Sequence, residues 1–343
     1  MTRLFRIARM MVCLLMLFVF ASGTDSDIAM TPLALPNSAG GIGFDDLGFS
    51  LVLRKVMVPA GRSGNLDLID PDSKQITAIG GFTTRGSFGG HGQGVTSADE
   101  GRGLLFATDR DAKQLDVIDP KTKSIVAAAS LAAGPDYVRF VEPTGEIWVT
   151  EPRAQGIEVF SMPTTGASKP SHLAFISIPG GPESLIIDSA RGRAYTHLWT
   201  DTTLAIDLKT RQISARWKNG CAGSRGIAID PARGFLFVGC EEGKLSVLDL
   251  STGAQLGSAS SGSGVDIIAY NPHLAHVYLP GEKSATMAVI GISAKGAANV
   301  LMTVNTAKGS HCVAPDDRDH AYVCDPAVGR LLVFKDNQPA SGH

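Results

Sequence analysis

Short apolar runs separated by polar turns recur along almost the whole chain, and one of them repeats in recognisable form. An apolar stretch closing on Asp stands at Leu66–Asp70, Leu115–Asp119, Leu204–Asp207 and Leu245–Asp249. Weaker copies stand at Ile157–Phe160, Met287–Ile290 and Leu331–Phe334, which makes seven in all. Ser161 and Gly291 follow two of these weaker copies where the stronger ones place the Asp. Ahead of each copy lies another apolar strand: Val56–Val58, Leu105–Thr108, Ile147–Thr150, Ala194–Thr196, Leu236–Val238, Val277–Leu279 and Ala321–Val323. A tight polar turn precedes that strand, as at Ala190–Arg193 and Pro231–Gly234, and a further apolar strand precedes the turn, as at Ile227–Asp230 and Ile267–Tyr270. A more variable strand follows the Asp turn, as at Ser124–Leu131 and Gln212–Trp217.

Four short strands in a unit of 41 to 48 residues have the dimensions of a propeller blade. Brief period-2 or wholly apolar runs bounded by Gly, Pro and Asp turns fit strands and not helices. Two unrelated β-sandwiches would not explain one pattern recurring seven times. The expectation is therefore an all-β, seven-bladed β-propeller with four-stranded antiparallel blades. The seventh unit ends near Phe334 without room for its fourth strand. The stretch Ala29–Leu35 is the candidate to supply it, closing the ring and covering an otherwise open edge.

The first residues follow a different pattern. Arg3, Arg6 and Arg9 flank an unbroken apolar run, Met10–Phe20, and the small residues Ala21-Ser22-Gly23 follow. Basic, apolar, small is the order of a secretory signal, and the apolar run is short for a bilayer span. An uncleaved anchor is the alternative. Met-Met-Val before Cys13 does not resemble the sequence that precedes a lipidated cysteine. The expected organisation is a signal peptide at 1–23 and one propeller domain over 24–343, periplasmic or secreted, with no membrane span after signal removal. Losing the three arginines leaves 28 basic against 33 acidic residues, a balance of −5. No basic run interleaves with aromatics, so a nucleic-acid partner has no electrostatic footprint here.

The strand pairs quoted above resemble the YVTN-repeat β-propeller family, close to its exported YncE-like branch. The resemblance rests on Leu104–Thr122 (LLFATD…QLDVIDPKT), Gly226–Gly253 (GIAIDPARGFLFVGCEEGKLSVLDLSTG) and Gly264–Pro272 (GVDIIAYNP), and it runs over nearly the whole chain beyond the signal. It implies a periplasmic or surface location and points to no particular reaction. Propellers with similar repeats include sugar lactonases, so it leaves an enzyme open.

Superposing the units exposes one column at the start of each first strand: Asp45, Gln93, Asp136, Glu183, Arg225, Asp266 and His311. First strands of a propeller line the central channel, so these seven side chains are expected to converge at one mouth. All seven are polar although the residues just after them are apolar. Four carboxylates around an axis are hard oxygen ligands suited to Ca²⁺ or Mg²⁺. An ion held there could polarise a lactone carbonyl or activate water. Alternatively, the mixed acids, Arg225 and His311 could bind a small polar ligand or a protein partner. The plain alternative is a solvated mouth in which Arg225 pairs with Glu183 or Asp266. Like charges around one axis should raise some of the carboxylate pKa values unless a cation is present.

Other chemistry is sparse. His91 lies in the loop Gly89–Gly94 close to the column, and His197 ends a second strand near Trp199. Lone histidines at strand ends read as surface or hydrogen-bonded residues. The Gly-rich loop leads into a strand and so is not a dinucleotide cradle. No G-x-S-x-G, H-E-x-x-H or C-x-x-C-H motif is present. Four cysteines lie beyond the signal. Cys221 stands before the first strand of its unit and Cys240 ends the second, while Cys312 and Cys324 stand likewise in the last unit. In an antiparallel hairpin the start of one strand lies beside the end of the next. Of the three connectivities open to four cysteines, Cys221–Cys240 and Cys312–Cys324 are therefore expected as disulfides. The first also matches the resembled branch. A metal or redox role for the thiols is the rival reading. The leading functional expectation is a monomeric binding module, with a metal-dependent lactone hydrolase as the alternative and a structural envelope protein as a third.

Overall fold

The computed structural model describes residues 30–163 and 169–342. The stretch read as an export signal lies outside the described residues. Seven four-stranded antiparallel sheets follow one another around a central channel. The first six are each built from four consecutive strands. Blade 1 runs through Gly48–Ser50, Lys55–Pro59, Asn65–Ile69 and Ile76–Gly80, and blade 5 through Ser224–Asp230, Phe235–Cys240, Lys244–Asp249 and Gln255–Ser260. Blade 7 takes Val313–Pro315, His320–Asp325 and Arg330–Lys335 from the end of the chain and Thr31–Ala34 from its start. Thr31 pairs with Val333 and Ala34 with Arg330 in an antiparallel register. The expected closure by the stretch around Ala29–Leu35 is thus observed, and the chain is a seven-bladed β-propeller.

The repeated Asp makes the hairpin between third and fourth strands. Asp70 Oδ1 accepts hydrogen bonds from the backbone N–H of Asp72 and Ser73. Asp207 and Asp249 do the same for Lys209 and Thr210, and for Ser251 and Thr252. The turn closes through a backbone bond four residues on, to the carbonyl of the Asp, in each of these three blades. A short side chain that accepts from its own downstream amides is what such a turn requires. One Asp therefore sets both the reversal and the register of the fourth strand.

The interior is divided into seven apolar clusters, one between each pair of adjacent blades. Trp148, Ile157 and Val159 of blade 3 pack on Ala194, Leu204 and Ile206 of blade 4. Phe237 and Val247 of blade 5 pack on Val277, Leu279 and Ala288 of blade 6. The ring is completed by Val56, Val58 and Ile69 of blade 1 against Tyr322, Leu331 and Val333 of blade 7. Middle strands are covered on both faces, which is why they read as unbroken apolar runs. The outer strands alternate: Ile213–Lys218 switches between half-buried and exposed at every residue. No helix among the described residues is long and apolar enough to cross a membrane.

Both expected disulfides are present. Cys221–Cys240 and Cys312–Cys324 have Cα atoms 5.2 and 5.6 Å apart, within the usual range for the bond. Each joins the approach to a first strand to the end of the second strand beside it.

Candidate functional site

The seven-residue column sits at one mouth of the channel, but its members do not all begin strands. Glu183 opens its strand and Arg225 is the second residue of its own. Asp45, Gln93, Asp136, Asp266 and His311 lie two or three residues before the first strands of their blades. The chain crosses the rim before its backbone meets the neighbouring strand, so these five are carried on the approach segments.

Asp45 and Asp136 are brought together by Arg110, which sequence reasoning did not assign. Its Nη2 lies 3.0 Å from Asp45 Oδ2 and also contacts Asp136 Oδ1, while Nε donates to the Pro135 carbonyl at 2.6 Å. Arg110 directly follows the second strand of blade 2, Leu104–Asp109. Turns at that point lie on the same face as the starts of the first strands, so topology offered a signal, but no repeat column marks this residue. Burial raises the pKa of Asp45 well above the ordinary carboxylate value; Arg110 opposes the shift, and Asp136 and Asp266 add to it. Asp136 moves in the same direction for the same reasons. Glu183 is pushed up to about 8 by burial and by the charges of Asp136 and Asp266, although the Trp199 indole N–H donates to its Oε2. The expected crowding of like charges is therefore present, with desolvation as the larger cause.

Two members turn away. Gln93 Oε1 accepts from Gly89 N–H at 2.9 Å, folding the side chain onto its own loop. Arg225 does not pair with Glu183 or Asp266; its Nη2 meets Glu241 Oε2 at 2.6 Å, and Lys283 Nζ reaches the other oxygen of Glu241 at 3.1 Å. Glu241 stands in the turn after the second strand of blade 5, nearer to Arg225 than the flanking column positions. His311 is buried, with Nδ1 2.7 Å from the Gly309 carbonyl and Nε2 2.8 Å from the Phe44 carbonyl. His91 reaches over it from the Gly-rich loop, the two rings 5.5 Å apart edge to face. Of the two readings open to His197, surface or hydrogen-bonded, the structure shows the second. It is fully buried, Nδ1 lies 3.0 Å from Thr203 Oγ1, and burial lowers its pKa to about 3.

A cavity of about 630 Å³ opens beside these groups, lined by Arg110, Lys113, Pro135, Asp136, Arg153 and Glu183. Deeper in, the channel wall becomes apolar, with Ile186, Ile227 and Ile267 around a smaller space. There Asp46 of blade 1 forms a two-pronged ion pair with Arg139 of blade 3, at 2.6 and 3.0 Å, and accepts from Ser97 Oγ at 2.5 Å. This buried bridge reaches past blade 2 and was not foreseen from sequence.

No protein-family model matches the chain, and no curated protein matches it in sequence. Solved structures match it in shape. A chain of the mitotic checkpoint complex aligns with a TM-score of 0.74 at 13% identity, covering 97% of this chain and 100% of that one. The fold they share is the β-propeller. A chain of Kuenenia stuttgartiensis hydrazine synthase aligns at 0.69 and 11% identity, covering 88% and 97%. The β-propeller domain of Myceliophteria thermophila Cps50 (Swd1) aligns at 0.66 and 10% identity, covering 87% and 98%. At these identities the likeness is one of fold.

Proposed function

We propose that this propeller is a binding module that takes a small, polar, hydrogen-donor-rich ligand at the channel mouth bearing Asp45, Asp136, Glu183 and Asp266. The observation that carries the reading is the electrostatic state of that mouth. Carboxyls from blades 1, 3 and 4 all have raised pKa values, and one guanidinium, Arg110, serves two of them. A group of donors entering the adjacent cavity would relieve the repulsion between acids, while Arg110, Lys113 and Arg153 on the same wall hold any acceptor it carries. Glu183, its pKa pushed up by burial and by its acidic neighbours, is a further hydrogen-bonding group on that wall. Basic and acidic groups on one wall suit an amino acid, an amino sugar or a polyamine conjugate better than a plain anion.

The YVTN-type, YncE-like resemblance and the basic–apolar–small start of the chain support placing the module outside the cytoplasm, as a monomer after cleavage near residue 23. Mass determination of the amino terminus after expression in a secreting host tests the export. Binding is tested by thermal shift of residues 24–343 against arginine, glucosamine and spermidine, compared with the triple variant Asp136→Asn, Glu183→Gln, Asp266→Asn. The expected result is a ligand-dependent rise in Tm for the wild type that the folded triple variant loses. Equal shifts in both proteins would refute the site. Hydrolysis of a lactone panel by the wild type, lost in the folded variant, would establish the hydrolase reading instead.

A further inference from the structure

We infer that the same mouth holds a first-row divalent transition-metal ion, of the Zn²⁺ type, on His91, His311 and Asp266. The inference rests on the reading of the mouth as a ligand site and names one occupant. Ligand atoms of these three side chains all lie within 4.8 Å of one another. Two imidazoles and a carboxylate form a nitrogen-rich set, which suits Zn²⁺, Ni²⁺ or Cu²⁺ better than Ca²⁺ or Mg²⁺. The oxygen ligands a hard cation would need are already engaged. Asp45 and Asp136 are held by Arg110, and Glu183 is held by the Trp199 indole. Ca²⁺ takes six to eight oxygens, and this mouth does not offer them.

The contacts of His311 set which of its nitrogens can bind a metal. Both ring nitrogens face carbonyl oxygens, those of Gly309 and Phe44. A neutral imidazole has a single N–H, so one nitrogen lone pair is turned toward an oxygen. With Nδ1–H donating to Gly309, the familiar outer contact of a metal-bound histidine, Nε2 is the ligand atom, and Phe44 O, 2.8 Å from it, has to move off the lone-pair axis for a metal at about 2.0–2.1 Å to be held there.

His91 closes the set from a segment built to lie across the mouth. Residues 81–94 connect the last strand of blade 1 to the first of blade 2. A Cβ on Gly43 would stand 1.8 Å from the Gly90 carbonyl oxygen, and one on Gly94 would stand 2.3 Å from that of Gly61. Backbone rests on backbone at both points, which no side chain would permit. His91 is thereby carried to within 3.9 Å of Asp45 while its side chain stays more than half exposed. Ligand atoms of a tetrahedral Zn²⁺ site lie about 3.3 Å apart. The difference from 4.8 Å is at most about 1.5 Å, and this glycine-flanked loop carries the exposed member of the set.

The test is equilibrium dialysis and calorimetry of residues 24–343 with Zn²⁺, Co²⁺ and Ca²⁺, without reductant. Omitting reductant keeps Cys312 and Cys324, which neighbour His311, from binding metal as thiols. One saturable Zn²⁺ site is expected, with visible Co²⁺ absorption typical of tetrahedral coordination and no comparable Ca²⁺ site. His91→Ala, on an exposed side chain, and Asp266→Asn should each weaken Zn²⁺ on the order of 10–100-fold or more. Gly43→Ala, which removes no ligand, should also weaken it, and Lys295→Ala, on an exposed outer turn of blade 6, should not. Absence of a saturable site, or binding unchanged in both ligand variants, would overturn the inference. If arginine or glucosamine still shifts Tm in that case, only the metal assignment falls; if nothing binds, the ligand reading of the mouth falls with it.

Discussion

Replacing Asp67 by Asn should stabilise the protein, and by more as the pH rises. Asp67 lies in the third strand of blade 1, opposite Val58, with no exposed surface, and neither carboxylate oxygen has a hydrogen-bond partner among the described residues. Burial alone raises its pKa from 3.8 to about 7. The unfolded chain releases this proton at lower pH than the folded chain, so the folded form binds more protons between about pH 4 and 7 and stability falls with rising pH across that window. At 1.36 kcal/mol per pKa unit the penalty is roughly 2 kcal/mol at pH 5 and about 4 kcal/mol at pH 8, where it levels off. Asn keeps the size and polarity but never ionises, so Asp67→Asn gains that pH-dependent part. Urea unfolding of both proteins, followed by circular dichroism from pH 5 to 8, measures the difference directly. A stability difference that stays flat across the range would show that Asp67 is solvated or paired in solution, and would refute the argument.

Arg110→Ala should destabilise the fold by about 3 kcal/mol, because buried Asp45 and half-buried Asp136 lose their shared cation; adding Asp136→Asn should recover part of the loss in Tm. Reducing the two disulfides should cost about 2–4 kcal/mol for each hairpin loop, read as a fall in the urea midpoint with the sheet spectrum retained. Deleting Thr31–Ala34 uncovers the edge of Arg330–Lys335, and gel filtration should then show association that the full chain lacks. A monodisperse, equally stable deletion variant would mean that the closing strand contributes nothing.

The repeat was legible because each blade must bury both faces of its middle strands against its neighbours. That need writes the same short apolar runs seven times, and the Asp turns punctuate them. The disulfides were legible because hairpin geometry is local. The mouth was readable only as a set of positions. Topology dictates that Asp45, Asp136, Glu183, Asp266 and His311 share a rim, whereas partners are chosen by reach across blades. Arg110 is 65 residues from Asp45, and Arg139 is 93 from Asp46. Nothing in a repeat column marks such pairs. Arg225 shows the opposite failing: it belongs to the column, yet a glutamate in a neighbouring turn captures it. Gly43 and Gly94 carry no periodic signal either, since what they provide is room for another backbone.

The shared seventh blade also has a consequence in time. Ala34 is among the earliest described residues to be made and Arg330 among the last, yet the two are partners in one ladder. At typical synthesis rates of about 5–20 residues per second, the roughly 300 residues between them take about 15–60 s. Six blades can gather their strands as they emerge, but the ring cannot latch until synthesis is nearly over. Throughout that interval the chain stays an open arc with an unsatisfied first strand and an uncovered face on blade 1, a form still able to be threaded through a narrow passage or to be captured by a second nascent copy.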